Sequence, residues 1–147
     1  MGDMKDKTLT WQKHFSTGNA FANAGDNENA LVQLQKASKI CPDHALTWNN
    51  IGVAKMCLGY FKEAIEYFNK AIELDSQYKD AYHNRGLAHS DVGDLASSIE
   101  DLSKAIELDD CYWSAYRHRS IVYHMIGNDR KSSEDYIKAQ ALSESKD

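Results

Sequence analysis

A glycine recurs along this chain at a constant spacing. It stands at four positions, each 34 residues from the next: Gly25, Gly59, Gly93 and Gly127. The letters KAIELD close the stretch GYFKEAIEYFNKAIELD and close GDLASSIEDLSKAIELD again. Self-similarity at a fixed period indicates a repeat architecture, in which each unit buries its apolar face against its neighbours. This period constrains the fold more than any other feature of the sequence.

The period divides the chain into four blocks after a polar N-terminal segment, residues 1–10. The blocks are 11–44, 45–78, 79–112 and 113–146. A second glycine column contains Gly18, Gly52 and Gly86, and the fourth block has Ser120 in that place. A bulky column contains Leu34, Phe68, Leu102 and Tyr136, and an alanine column contains Ala37, Ala71, Ala105 and Ala139. Chance does not produce several columns in one register.

Each block has the apolar spacing of two helices. In residues 61–74 the apolar side chains fall at i, i+3, i+4 and i+7, which is typical of an amphipathic helix. The glycine near the middle of a block is expected to end one helix, because glycine tolerates the left-handed conformation. Asp26, Asp94 and Asn128 follow it as N-caps of the next helix. We therefore expect two antiparallel helices of about 13–15 residues in each block.

The period and the columns resemble the tetratricopeptide repeat, whose unit is about 34 residues. The resemblance covers residues 11–146 and is clearest in WNNIGVAKMCLGYFKEAIEYFNKAIELD and YHNRGLAHSDVGDLASSIEDLSKAIELD. It implies an all-α fold, a right-handed α-solenoid of four helix-turn-helix repeats (a TPR superhelix). The boundary proline of the family remains only as Pro42, and Ser98 and Ser132 replace its usual alanine. These departures weaken single helices and leave the fold unchanged.

Two pairs of charged residues vary together between the blocks. Arg85 and Arg119 each have an aspartate 16 residues later, Asp101 and Asp135. The other two blocks have neither the base nor the acid. We expect each pair to form an ion pair between the two helices of its repeat, and the alternative is a coincidence of charged faces.

The outer blocks differ from the inner ones where repeats would stack. Ser133 and Gln140 replace the isoleucines of the inner blocks, and Lys13 stands where later blocks have threonine or alanine. Terminal repeats need polar outer faces. The sequence is therefore expected to be a complete array of four repeats in a single domain.

The resemblance places a binding groove on the first helix of each repeat, where the array curves inward. The asparagines of this groove can donate to and accept from a peptide backbone. For Asn50 and Asn84 the alternative is repeat consensus with local hydrogen bonding. The expected groove residues are Phe15, Asn19, Asn49, Asn50, Val53, Met56, His83, Asn84, Leu87, Arg117, His118 and Ile121.

The chaperone-binding members of the family grip the C-terminal carboxylate of Hsp70 or Hsp90 tails with lysine, arginine and asparagine. Asn19 and Asn50 match two of those places, but Phe15, Asp80 and Asn84 occupy the basic ones. A register that starts at the second repeat fails as well. Without its cations such a clamp loses its charge-assisted hydrogen bonds, so we do not expect this chain to bind those tails.

Composition narrows the function classes. The net charge is −5 and no long basic run is present, which argues against nucleic acid. No apolar run has the length of a membrane span, and the polar start has no signal core. Three cysteines stand at no disulfide or zinc spacing. We therefore expect a cytoplasmic protein without a metal or cofactor. No catalytic constellation is present, so we do not expect an enzyme.

The sequence favours a protein–protein interaction module, or adaptor, whose groove binds a peptide or helix of another protein. Two alternatives stay open: a self-associating structural scaffold, and a chaperone-like regulator that shields a client segment. We expect a monomer, with self-association possible. The partner has to be found by experiment.

Overall fold

The computed structural model describes residues 2–145, and the predicted end of the fourth repeat, Lys146, lies outside them. Within that range the chain forms α-helices and no strands, which confirms the predicted all-α repeat fold. None of these helices is long and apolar enough to cross a membrane. The helices are α1 (Gly2–Asn23), α2 (Asn27–Ile40), α3 (Ala45–Cys57), α4 (Phe61–Leu74), α5 (Lys79–Asp91), α6 (Leu95–Leu108), α7 (Trp113–Met125) and α8 (Asp129–Glu144).

The chain forms two compact units, divided between Ser76 and Gln77. Unit 1 holds α1 to α4, and unit 2 holds α5 to α8. In unit 1, Ala30, Leu34 and Ile51 form a buried cluster against which Trp48 and Tyr67 pack. In unit 2, the buried cluster contains Leu102, Ala105, Ala115 and Val122. Each unit therefore has its own apolar core.

The turn between the two helices of each repeat has the predicted chemistry. The turn glycines have φ angles of 80°, 83°, 84° and 76° in chain order, which is the left-handed region. The side chains of Asp26, Asp94 and Asn128 each accept a hydrogen bond from the backbone N–H three residues later, at 3.1–3.2 Å. These bonds satisfy N–H groups that have no partner inside the helix, and they confirm the three N-caps.

The first helix is longer than the predicted 13–15 residues. It has 22 residues and begins at Gly2, so the polar N-terminal segment continues the first helix of the first repeat. The hydroxyls of Thr8 and Thr10 bond back to the carbonyls of Met4 and Asp6 at 2.9 and 2.8 Å. The segment has no proline or internal glycine to stop a helix, which is why the helix extends through it.

The two helices of a repeat meet where a bulky side chain lies on a glycine. Leu34, Phe68 and Leu102 are fully buried. A methyl group at Gly52 would lie 2.6 Å from Cε1 of Phe68, which is too close for two carbon atoms. Gly18 and Gly86 face Leu34 and Leu102 in the same way. The second glycine column is therefore a close-packing requirement of the helix pair.

Both predicted ion pairs are present inside unit 2. Arg85 donates from Nε and Nη2 to the two carboxylate oxygens of Asp101 at 2.7 and 2.6 Å. Arg119 donates to Asp135 in the same two-pronged way at 2.7 and 2.8 Å. The two aspartates are only 6% and 7% exposed. Because the paired charges are shielded from water, each bond links the first helix of a repeat firmly to the second.

We predict strong coupling within each of these pairs. Arg85→Met or Asp101→Leu alone should lower the free energy of unfolding by about 3–5 kcal/mol, since each removes one partner of a buried ion pair. The double variant should lose much less than the sum of the two. Urea unfolding monitored by circular dichroism measures all four proteins, and the exposed pair Arg130–Glu134 is the control, with coupling below about 1 kcal/mol. Additive losses at Arg85 and Asp101 would contradict the pairing.

Candidate functional site

The predicted groove residues lie on the first helices of the repeats, α1 and α3 in unit 1 and α5 and α7 in unit 2. We call these surfaces the first-helix face of unit 1 and the first-helix face of unit 2. Unit 1 contributes Phe15, Asn19, Asn49, Asn50, Val53 and Met56 to the prediction. Unit 2 contributes His83, Asn84, Leu87, Arg117, His118 and Ile121.

Three of the predicted residues meet in one pocket of unit 1. Its volume is about 340 Å³, and its walls are Asn19, Ala22, Asn23, Asn50 and Val53. Asn50 donates from Nδ2 to Oδ1 of Asn19 at 2.9 Å, which joins α3 to α1. Local bonding is thus part of the role of Asn50. No described residue accepts from Nδ2 of Asn19, so that amide group can donate to a ligand in the pocket.

Three other predicted residues of unit 1 are less available to a ligand. Asn49 is only 5% exposed, and it donates to Oδ1 of Asn50 at 3.3 Å. Phe15 stacks on Trp11 with ring centroids 5.3 Å apart, and the ring of His44 meets it edge-on at 5.2 Å. Met56 is half-buried. The sequence reasoning missed Ala22, although it stands one helical turn after Asn19 on the same face.

A pair of histidines connects the two first helices of unit 2. Nε2 of His83 lies 3.0 Å from Nδ1 of His118, and His83 is only 7% exposed. The ring of Tyr112 lies 5.0 Å from that of His83. The hydroxyl of Tyr112 donates to Oδ1 of Asp80 at 2.7 Å. The sequence placed both histidines on this face but did not predict that they would bond to each other.

Burial keeps both histidines neutral at pH 7. It lowers the pKa of His83 to about 4, with a further contribution from the charge of His118. Burial likewise lowers the pKa of His118. Two neutral imidazoles form one hydrogen bond, because one ring donates its N–H and the other accepts at a bare nitrogen. The pair therefore stabilises the contact between α5 and α7.

The rest of the first-helix face of unit 2 is more open. Ile121 and Met125 of α7 are 51% and 55% exposed and lie one turn apart. Arg117 lies one turn before Ile121, and none of the described residues offers it a carboxylate partner. Asn84 and Leu87 on α5 are half-buried. This part of unit 2 presents an apolar strip with a cation at one end.

One cluster in the described range combines three side chains of metal-ligating types, Asp109, Asp110 and Cys111. Its chemistry is already accounted for by local bonds. Asp109 pairs with Lys79, and its other oxygen accepts from the backbone N–H of Cys111 at 3.0 Å. Asp110 and Cys111 are exposed. The three residues form the turn between α6 and α7.

Comparison with known proteins agrees with the repeat and its helix pairs. The family pattern described as "Tetratricopeptide repeat" matches residues 43–112, and the one described as "TPR repeat" matches residues 18–59. The chain belongs to the tetratricopeptide-repeat family. The proteins of this family are typically protein-interaction modules rather than enzymes. A search of curated proteins found no match.

Solved structures share the fold. A crystal structure of MamA protein matches with a TM-score of 0.82 and 27% identity, covering 97% of this chain and 75% of that one. TTC0263, a thermophilic TPR protein from Thermus thermophilus, matches with a TM-score of 0.82 and 19% identity, covering 91% and 75%. The first TPR of Spaghetti (RPAP3), solved bound to the HSP90 peptide SRMEEVD, matches with a TM-score of 0.79 and 21% identity, covering 81% and 94%.

We predict that the histidine pair makes unit 2 sensitive to acid. Unfolded histidine takes up a proton near its ordinary pKa of 6.5, whereas folded His83 does so only near 4. Stability should therefore be full above pH 6.5, fall as the pH drops towards 4, and level off below that. Urea unfolding at a series of pH values measures the decline.

Two variants separate the pair from the other histidines. His83→Asn removes the titrating ring and keeps a hydrogen-bonding side chain, so its stability should depend less steeply on pH between 6.5 and 4. His124→Asn changes a histidine whose side chain is 77% exposed, and its slope should equal that of the wild type. The same slope in all three proteins would show that the buried pair does not cause the decline.

Proposed function

We propose that this protein is an adaptor that binds a peptide or helix of another protein on its first-helix faces, with the unit 1 pocket as the main contact. The observation that carries the proposal is the pocket of about 340 Å³. Its wall contains Asn19, whose Nδ2 group donates to no described residue. Ligand pockets commonly measure about 300–1,000 Å³ and combine apolar walls with a few polar groups. Ala22 and Val53 supply the apolar part here.

The asparagines suit the recognition of a backbone rather than of one side chain. An extended segment presents carbonyl oxygens and N–H groups at regular intervals, and a side-chain amide can serve both. The bond between Asn19 and Asn50 holds both amides in place before a ligand arrives. Such preorganisation reduces the entropy that binding costs. Val53 and one apolar ligand side chain would then add contact area.

The alternative function of a self-associating scaffold has one observation in its favour. Met4 and Leu9 on α1 are 78% and 66% exposed, which is unusual for large apolar side chains.

The cytoplasm remains the compartment that we propose, because Cys41, Cys57 and Cys111 are all free thiols.

A peptide-display selection on the immobilised protein tests the adaptor function. The peptides that it yields should bind Asn19→Ala and Val53→Asp at least about tenfold more weakly than wild type, a loss of about 1.4 kcal/mol. Val32→Asp is the matched control, since Val32 is a 48% exposed valine on the second helix α2. Its affinity should stay within about twofold of the wild type. Fluorescence anisotropy with a labelled peptide measures each dissociation constant.

Two further results bear on the proposal. Thermal unfolding of each variant must show that the fold is intact, and Asn19→Ala, which removes only one amide, is the milder of the two. Equal binding by Val32→Asp and Val53→Asp would move the site away from this pocket. A wild-type protein whose sedimentation shows stable oligomers, lost when Leu9 is changed to Asp, would favour the scaffold instead.

A further inference from the structure

An aromatic ring closes the same place over the first helix in both units. In unit 1 the ring of His44 packs against Trp11 and Phe15, with centroids 4.7 and 5.2 Å apart. In unit 2 the ring of Tyr112 packs against His83, and Nζ of Lys79 lies 5.1 Å above it. His44 and Tyr112 are both the last residue of a 34-residue block. In the first and third repeats this position therefore covers the start of the first helix of the same repeat.

In the fourth repeat no ring covers the corresponding part of the first helix, α7, within the described residues. Trp113 and Arg117 of α7 stand where Trp11 and Phe15 stand in the first repeat. The open pocket there measures about 230 Å³. Its walls are Trp113, Arg117, Tyr136, Ala139, Gln140 and Ser143. We call it the repeat-four pocket.

The fourth block has no ring at its last position. The position of His44 and Tyr112 is taken by Lys146 in the sequence. A lysine has no ring, and its charge has the same sign as that of Arg117. The last position of the fourth block therefore supplies no aromatic occupant.

Tyr136 lines the pocket and differs from its counterparts in the other repeats in being exposed. Its counterparts in the other repeats lie on a glycine and are fully buried, but in the fourth block Ser120 stands in the place of that glycine and Tyr136 is 52% exposed. The hydroxyl of Ser120 lies 3.4 Å from that of Ser132, so these two serines join α7 to α8. The ring of Tyr136 lies at the surface, in the wall of the pocket.

The positive charge of Arg117 in the pocket wall indicates which group of a ligand would accompany an aromatic ring. Arg85, Arg119 and Arg130 each pair with a carboxylate. Within residues 2–145 no carboxylate pairs with Arg117. A guanidinium group on a pocket wall can stack on an aromatic ring and bind a carboxylate at its edge.

Unit 2 shows such an occupant in place. The segment that brings Tyr112 over Lys79 also brings Asp109, which forms an ion pair with Lys79. One short segment thus supplies a ring and a carboxylate together. The repeat-four pocket, with Trp113 and Arg117, offers an apolar wall and a cation to the same combination.

We propose that the repeat-four pocket is a second binding site, which takes an aromatic side chain from a segment of a partner protein with an acidic residue beside it. The ring lies between the indole of Trp113 and the guanidinium group of Arg117. The carboxylate of the segment binds Arg117. This site goes beyond the proposed adaptor function, because it shares no residue with the unit 1 pocket.

A labelled peptide copying residues 107–116, ELDDSYWSAY with serine in place of Cys111, is the probe. Its affinity for the full chain is measured by fluorescence anisotropy. We expect saturable binding that weakens at least about tenfold when the tyrosine of the peptide at position 112 is changed to alanine, or when both its aspartates become asparagine. No saturation up to about 1 mM would overturn the proposal.

Two matched pairs of protein variants locate the site. Arg117→Gln should weaken binding at least about tenfold, whereas Arg130→Gln, on an exposed arginine of α8, should not. Tyr136→Ala should weaken binding, whereas Ile137→Ala should not, although both side chains are exposed on α8. Equal effects within either pair would overturn the proposal.

Two controls separate this site from the other possibilities. Val53→Asp should bind the probe as the wild type does. A loss there with none at Arg117 would assign the probe to the unit 1 pocket, which overturns this inference and leaves the adaptor function standing. Sedimentation equilibrium tests the remaining occupant: a wild-type dimer that Tyr136→Ala converts to monomer would mean that a second copy fills the pocket, which also overturns the proposal.

Discussion

The contact between a glycine of the first helix and a bulky side chain of the second is the constraint on which each repeat depends. Phe68 is fully buried because Gly52 leaves no side chain in its way, and a methyl group there would lie 2.6 Å from the ring. This close approach sets the distance between the two helices. The packing rule that builds the repeat therefore fixes the position of the first helix, which carries the residues of the proposed binding face.

Sequence reasoning predicted the fold well because its determinants recur with the period. The left-handed glycines, the caps at Asp26, Asp94 and Asn128 and the pairs of Arg85 and Arg119 all followed from residue type at a repeated place. The extension of α1 did not follow. Helix length beyond a repeat depends on stop signals, and residues 3–10 contain no glycine or proline.

For the candidate site, the sequence could predict only which face of the first helices is involved. A position in the repeat sets the face on which a side chain lies, but it does not determine which residues that side chain contacts. Asn19 and Val53 line a pocket. Asn49 and His83 belong to the same set of predicted residues and are nevertheless buried at 5% and 7% exposure. The hydrogen bond between His83 and His118 joins residues from two different repeats. The residue types at these two places differ from block to block. No pattern within one repeat contains that information.

The repeat-four pocket arises where the packing constraint is relaxed. Ser120 replaces the glycine of the other repeats, and its bulky partner becomes an exposed Tyr136. The helix pair still holds, since Arg119 and Asp135 form their two hydrogen bonds and Ala139 is buried. The ion pair thus links the two helices of a repeat that lacks the glycine contact. In both sites that we propose, the residues that would select a ligand are departures from the period rather than the period itself.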